Sequence, residues 1–269
     1  MLSGTTINST HDNQKIRNLS LKDFKRKSGA TSYLLKEIKT LVRTPIFCLQ
    51  CLIMPIVYPT VVFLLMAAFI SFANRIGIDA LAEFYNRMMK TWGIAVFLSI
   101  GQVFYMMNFA SIIAISREAH NSLLIKYIPI KFEKQFKIKL KIGAFTNLIS
   151  GILVSIAYYA VIQDVVYAAF VFVILFFLYI IGEKFKILID LRNPQVSWDS
   201  EYTMMKQNTN VMYELFYTLI VIGLLVGLSF FIANFEIFLI FVFIICITAN
   251  LAINEYVHSH QNKLMKKIF

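Results

Sequence analysis

The chain is dominated by six long hydrophobic stretches that contain no Asp, Glu, Lys, Arg or His. They cover residues 47–72, 93–115, 142–162, 165–181, 215–232 and 237–253. A transmembrane helix needs roughly 17–25 apolar residues, so each stretch is long enough to cross a bilayer. The links 163–164 and 234–236 allow only tight turns, and lipid offers irregular backbone no hydrogen-bond partner. We therefore predict an all-α integral membrane protein with six transmembrane helices.

The basic residues lie mainly on one side of these predicted helices. Of the 26 Lys and Arg residues, 23 fall in alternate segments: before the first stretch, after the second, after the fourth and after the sixth. Cytoplasmic loops carry the basic excess, which predicts that both termini are cytoplasmic. The net charge of +11 is therefore interpreted as a topology signal that also meets anionic lipid headgroups, and nucleic acid is not an expected partner.

The charge and polarity patterns divide the chain into two parts. Residues 1–31 are polar and basic, which predicts a cytoplasmic tail or linker, and residues 32–269 form the predicted six-helix transmembrane domain. The cysteines and histidines lack the neighbouring ligands that a metal or redox site needs, so no metal is predicted. Pro55 and Pro59 are expected to kink the first transmembrane helix.

Residues 32–43 are predicted to form a short amphipathic helix in the cytoplasmic interface, before Pro45 interrupts it. Its apolar residues recur at helical spacing, and basic residues occupy the other side. The apolar set is Leu34, Leu35, Ile38, Leu41 and Val42, and the basic set is Lys36, Lys39 and Arg43. The alternative is that this segment is the cytoplasmic end of one long helix.

The loop over residues 116–141 is predicted to contain a second short helix, which Ser116 caps and Pro129 ends. A partner that pushes on a short helix between two transmembrane helices would tilt both of them. The alternative is that this segment is only a solvated connector. The next cytoplasmic loop is predicted over 182–210, and its Trp198 is expected to fold against the membrane surface or the 116–141 loop.

Small and neutral polar residues form stripes inside the predicted helices. Gly143, Gly151, Gly223 and Gly227 are interpreted as helix-packing positions, because small residues let helices approach closely. Candidates for lining a substrate path are Gln102, Asn108, Asn147 and Ser155. Packing remains the alternative for the polar residues as well.

Several kinds of chemistry have no residues to support them in the sequence. There is no phosphate-binding G-x-x-x-x-G-K-[ST] motif, and no catalytic residue or cofactor is predicted. Glu214 is the only acid at the edge of a hydrophobic stretch. Proton-coupled carriers place Asp, Glu or His at membrane depth, so any energy for transport is expected from a cytoplasmic partner.

Three segments resemble those of type-2 ABC exporter permeases, most closely the C-terminal half of large clostridial two-half permeases. They are YLLKEIKTLVRTPIFCLQCLIMPIVYP at 33–59, ISREAHNSLLIKYIPI at 115–130 and LIDLRNPQVSWDSEYTMMKQNTNV at 188–211. The resemblance covers residues 32 to the end, and the three segments occur in order at matching topological positions.

The resemblance implies a permease subunit in a bacterial cytoplasmic membrane that exports an unknown substrate. The neutral, aromatic-rich spans suit a hydrophobic or amphipathic substrate, and they suit lipid-facing surface equally well. The resemblance also implies a separate ABC ATP-binding subunit, which holds ATP and Mg, and a second permease half. Residues 32–43 would be the elbow helix. The coupling helix that docks on the ATPase would contain Arg117, Glu118, Asn121, Leu123, Leu124 and Ile125.

The chain departs from the large members of that family in having one half where they have two, and its 234–236 link is too short for a re-entrant element. One alternative is therefore an accessory or incomplete permease half. A less favoured alternative is an intramembrane enzyme acting on lipid, for which the candidate residues Glu214, Asp190 and His120 are scattered along the sequence.

Overall fold

The computed structural model describes residues 28–76, 79–118, 127–232 and 234–267, and all regular elements in these ranges are helices. The first half contains α1 (Gly29–Arg43), α2 (Pro45–Phe47), a π-helical segment (Cys48–Ile53), α3 (Met54–Ile76) and α4 (Asp79–Met106). The second half contains α5 (Phe132–Ile162), α6 (Val165–Arg192), α7 (Glu201–Lys206), α8 (Asn210–Phe231) and α9 (Phe235–Lys267). The described part of the chain is therefore all-α, as the sequence predicts.

Among the described residues, five segments are long and apolar enough to cross a membrane. They are Pro45–Ala68, Phe132–Ile162, Val165–Arg192, Glu201–Phe231 and Glu236–His260. The second predicted span corresponds to a shorter apolar helix, Trp92–Met106. These lengths indicate a multi-pass membrane protein.

The second hydrophobic stretch is helical only in its first part, so the predicted helix over 93–115 is wrong beyond Met106. Residues 107–115 form turns, in which the Asn108 carboxamide oxygen accepts a hydrogen bond from the backbone N–H of Ala110 at 3.0 Å. Ile112, Ile113 and Ala114 are fully buried. This stretch is therefore hydrophobic because protein covers it, and irregular backbone is tolerated in such places.

Other helices extend beyond their hydrophobic stretches, among them the third, fourth and fifth. The third begins at Phe132 where the sequence predicts residue 142, and the fourth continues to Arg192 where the sequence predicts an end at 181. The fifth begins at Asn210. The predicted loop over 182–210 is therefore wrong for residues 182–192. Hydropathy predicts only the apolar part of a helix. It misses these extensions because they carry charged side chains, which pair with other side chains inside the bundle.

The first helices follow the predicted order. α1 begins at Gly29, where the Ser28 side chain accepts a hydrogen bond from the N–H of Thr31 at 3.3 Å. Thr44 then adopts extended backbone and Pro45 begins a new helix, so α1 is separate from the first span. The π-helical segment lies directly before Pro55, whose ring disfavours a regular α-helical turn there.

The link between α5 and α6 is the predicted tight turn. Gln163 adopts left-handed backbone with φ of 58°, and Asp164 begins the next helix by accepting a hydrogen bond from the N–H of Val166 at 2.9 Å. α6 packs against α5 on one side and α9 on another, while α4 packs against α8. The aromatic rings of Tyr105 and Tyr179 stack within this core. The bundle is thus built around α6.

Candidate functional site

Ionisable side chains from five parts of the chain meet inside the helix bundle, in two neighbouring clusters. The outer ion cluster consists of Lys36, Glu37, Arg117, Glu118 and Lys139. The inner ion cluster consists of Glu183, Lys186 and Glu214. All of these side chains are buried except Lys36, which is 45% exposed. Because a buried charge is stable only when it is paired, the clusters fix the positions of their helices.

The outer ion cluster joins α1 and α5 to the segment that follows α4. The Glu37 carboxylate pairs with Arg117 and accepts a hydrogen bond from the Lys139 ammonium at 2.9 Å. Glu118 pairs with Lys139 and accepts a hydrogen bond from Lys36 at 2.8 Å. Three basic groups therefore share two acids, and each acid contacts at least two of them.

The same basic groups hold the irregular backbone between α4 and α5. The Lys139 ammonium donates to the carbonyl oxygen of Ala114 at 2.7 Å. The Arg117 guanidinium donates to the carbonyl oxygen of Ala110 at 3.2 Å. These carbonyls lie where a continuous helix would have provided partners, so the charged side chains supply the hydrogen bonds that the backbone lacks.

The charges in the outer ion cluster reinforce each other. Burial alone would raise the pKa of Glu37, but the nearby Lys139 and Arg117 outweigh it and hold that pKa below its usual range. For Arg117, burial lowers the pKa, but the Glu37 carboxylate raises it further, so the net shift is upward. Burial and the Glu37 charge raise the pKa of Tyr33. The carboxylate and the guanidinium are therefore charged at neutral pH, and the phenol is neutral.

The inner ion cluster closes the C-terminal end of α4. The Lys186 ammonium lies 2.6 Å from a Glu214 oxygen and 3.7 Å from a Glu183 oxygen. It also donates to the carbonyl oxygens of Tyr105 at 2.9 Å and Asn108 at 2.7 Å. The last carbonyls of a helix have no partner within it, and here a buried lysine from α6 donates to one carbonyl in the last turn of α4 and to another just beyond its end.

Glu183 also anchors a group of neutral polar side chains. Its carboxylate accepts hydrogen bonds from the Asn147 amide at 2.7 Å and from the Ser111 hydroxyl. Asn147 accepts in turn from the Asn108 amide at 3.0 Å. A side chain at Gly143 would overlap the Glu183 carboxylate and the Ser111 hydroxyl, so this close approach requires glycine.

Asp190 connects the end of α6 to the residues after α4. Its carboxylate accepts from the N–H of Ser116 at 3.1 Å, from the hydroxyl of Ser116, and from the Asn210 amide at 3.2 Å. The Trp198 indole donates to the carbonyl oxygen of Ser116 at 3.0 Å. Of the two places predicted for Trp198, the contact with the 116–141 loop is confirmed. The Ser116 hydroxyl therefore donates a hydrogen bond to the Asp190 carboxylate.

The residues predicted to form the coupling helix are described only at its beginning. Arg117 and Glu118 lie in a short 3₁₀ turn and belong to the outer ion cluster. Their charged ends face the protein interior, so they position this segment. The predicted contact residues Asn121, Leu123, Leu124 and Ile125 lie outside the described residues.

The four predicted substrate-path residues are all buried, and they have different surroundings. Asn108 and Asn147 bond to each other beside the inner ion cluster. Ser155 donates to the carbonyl oxygen of Gly151 in its own helix at 2.9 Å. The Gln102 amide has no hydrogen-bond partner among the described residues.

The predicted packing glycines fall into two pairs. Gly143 faces Glu183, and Gly151 faces the Tyr179 ring, which lies 3.2 Å from the position a side-chain carbon would take. Gly223 and Gly227 have open space beside them in the described part of the chain. The α5 glycines therefore lie against neighbouring side chains, whereas the α8 pair has no described neighbour.

The sequence analysis missed most of the buried charges. Glu183, Lys186 and Asp190 lie within the candidate span Val165–Arg192, and Glu214 lies within Glu201–Phe231. Glu214 is therefore not the only acid near the edge of an apolar stretch, although all four residues lie outside the six charge-free stretches. The missed signal was their spacing of three and four residues, which places Glu183, Lys186 and Asp190 on one face of a continuing helix.

In comparisons with known proteins, the chain matches no protein-family model, no curated protein and no solved structure.

Proposed function

We propose that the chain is the membrane permease subunit of an ATP-driven ABC exporter in a bacterial cytoplasmic membrane, with both termini cytoplasmic. A separate ABC ATP-binding subunit would hold ATP and Mg, and a second permease half would complete the transporter. The cargo is a hydrophobic or amphipathic compound. The proposal starts from the three sequence segments that resemble this family.

One structural observation supports this function above the others: the segment after α4 has side-chain contacts to several helices at once. Arg117 and Glu118 pair with α1 and α5. Ser116 bonds to Asp190 of α6 and to Trp198 of the loop after it. A displacement applied to the adjoining residues 119–126 would therefore reach these helices together, which is what coupling to ATP hydrolysis requires.

The requirement for a second half has support from α8. Gly223 and Gly227 are four residues apart on one face, with open space beside them in the described part of the chain. Small residues at this spacing let a second helix approach closely in a membrane. This face is suited to contact a helix of a second half.

The test is purification of the chain from its host membrane, followed by transport measurements in proteoliposomes. An ABC ATP-binding subunit should co-purify, and ATP should drive efflux. Leu123→Ser combined with Leu124→Ser should weaken binding of that subunit about 30-fold, because a lost interface hot spot costs about 2 kcal/mol. Tyr202→Ser is the control, since Tyr202 is an exposed aromatic residue on α7. It should leave binding unchanged.

Other outcomes distinguish the alternatives. If no ATP-binding subunit co-purifies and efflux does not depend on ATP, the exporter proposal is overturned. Lipid turnover by the purified chain alone would favour an intramembrane enzyme. Transport that appears only when a different, separately encoded half is added would favour an incomplete permease half.

A further inference from the structure

The helix α1 presents one face to the protein and leaves the rest of its surface outside. Tyr33, Glu37 and Leu41 are buried and lie four residues apart, so they form one stripe. Glu37 anchors that stripe through the outer ion cluster. The orientation of α1 about its own axis is therefore fixed, and its other residues have defined directions.

Two outward stripes of different chemistry follow around the helix. Ile38 and Val42 are 40% and 54% exposed, and they form an apolar stripe roughly 100–140° around the helix from Glu37. Lys36, Lys39 and Arg43 form a basic stripe next to it, because successive residues turn by about 100°. An apolar stripe beside a basic one is the pattern of a helix that lies in the membrane interface.

The basic stripe borders a groove of about 450 Å³. Its lining residues are Ser32, Leu35, Lys36, Lys39, Thr40 and Arg43. Within the described ranges, Lys39 and Arg43 have no acidic partner. The groove therefore combines three positive groups, two hydroxyls and an apolar edge, and its charge is complementary to an anion with a hydrophobic attachment.

We propose that this groove binds the phosphate of an anionic phospholipid headgroup. Lys39 and Arg43 contact the phosphate, and the acyl chains run along Ile38 and Val42. A free phosphate would use the basic groups but gain nothing from the apolar stripe. The apolar stripe therefore favours lipid as the source of the anion.

Lys36 connects this groove to the interior. Its ammonium lies 2.8 Å from the Glu118 carboxylate and 3.5 Å from that of Glu37, yet its side chain is 45% exposed and lines the groove. A bound phosphate competes with Glu118 for this ammonium. Anionic lipid therefore loosens one link between α1 and the segment after α4.

The loosened link affects the segment that the proposed function assigns to coupling, so its importance for transport rests on that function. Binding of the lipid headgroup to the groove does not depend on the proposed function. The experiment therefore uses the purified full chain in nanodiscs without any ATP-binding subunit, so that failure of the exporter proposal leaves the lipid result readable.

Phosphatidylglycerol is compared with phosphatidylcholine, and retained lipid is counted by native mass spectrometry. Lys39→Gln with Arg43→Gln should weaken phosphatidylglycerol retention about 25-fold, since each basic side chain at an anionic surface contributes about fivefold. Both residues lack described ion pairs, so the variant is expected to fold. The control is Lys134→Gln with Lys137→Gln, which removes the same charge from exposed positions on α5.

Hydrogen exchange at the backbone amides of residues 115–118 measures the effect of lipid binding on the segment after α4. Exchange in the unmodified chain should be faster in phosphatidylglycerol than in phosphatidylcholine, and the Lys39→Gln, Arg43→Gln variant should lose that difference. Equal lipid retention by the two double variants would overturn the site. Binding of inorganic phosphate as strong as that of lipid would overturn the lipid assignment, and exchange that is independent of lipid would overturn the link through Lys36.

Discussion

Single residues decide how closely the helices of this bundle approach. Gly143 lies against the Glu183 carboxylate, and a side-chain carbon at that position would overlap it. Lys186 has no exposed surface and donates to one backbone carbonyl in the last turn of α4 and to another just beyond it. Each of these residues has a role that depends on a partner distant in the sequence. The neighbouring sequence therefore does not reveal how important the residue is.

Gly143→Ala should destabilise the protein by about 1–3 kcal/mol, because an added carbon in a packed interior forces its neighbours to move. The neighbours here are a buried carboxylate and a serine that bonds to it, so the inner ion cluster would be disturbed. Thermal unfolding in detergent, followed by loss of monodisperse protein, measures the change.

Gly29→Ala is the control, because the same carbon would meet only the Ile130 side chain, at an ordinary contact distance of 3.6 Å. Its effect on stability should stay within about 0.5 kcal/mol, as for other substitutions away from packed features. Equal destabilisation by both variants would contradict the packing assigned to Gly143.

At the scale of elements, α1 is attached to the bundle mainly through one buried acid. Glu37 pairs with Arg117 and Lys139, which belong to two different parts of the chain. The helix also buries Tyr33 and Leu41. Removal of the acid would leave two buried cations with fewer partners, so the position of the whole helix depends on this side chain.

Glu37→Gln should destabilise the protein by about 3–5 kcal/mol at neutral pH, because one member of a buried ion pair is lost. The folded pKa of Glu37 lies below its ordinary value of 4.5, so its contribution to stability is present above pH 4.5 and declines as the pH falls further. The unmodified protein should therefore lose stability below about pH 4.5, and the variant should lose less over the same range.

Denaturant or thermal unfolding between pH 3 and pH 7 measures this dependence in both proteins. Glu255→Gln serves as the control, since Glu255 is exposed on α9. A variant at Glu37 with the stability and pH profile of the control would show that α1 is held by its apolar residues instead.

The helices also show how much of the fold could be predicted from the sequence. The hydrophobic stretches predicted where membrane helices occur, and the spacing over residues 32–43 predicted α1. The hydrophobic stretches gave wrong helix limits at 107–115 and 182–192, because burial by protein decides the structure there and contact with lipid does not. The ion clusters join residues up to 102 positions apart, as in the bond from Lys139 to Glu37, and no local pattern contains such a pairing.

For the whole molecule, the number of membrane crossings depends on α4. This helix has 28 residues, which correspond to about 42 Å, but its apolar part Trp92–Met106 corresponds to only about 22 Å. The hydrocarbon core is about 30 Å thick, so a crossing requires residues before Trp92 to enter it. An even number of crossings places the two ends of the chain on one side, and an odd number places them on opposite sides.

We predict six crossings, because the distribution of Lys and Arg alternates as six require. Single cysteines at Lys39, Gln163 and Ser259, in a background without Cys48, Cys51 and Cys246, report the side of each position. An impermeant maleimide applied to intact cells should label Gln163→Cys alone, and a permeant one should label all three. Labelling of Lys39→Cys together with Gln163→Cys would instead establish five crossings. α4 would then remain on one side of the membrane, because its charged first part adds to the cost of inserting so short an apolar segment.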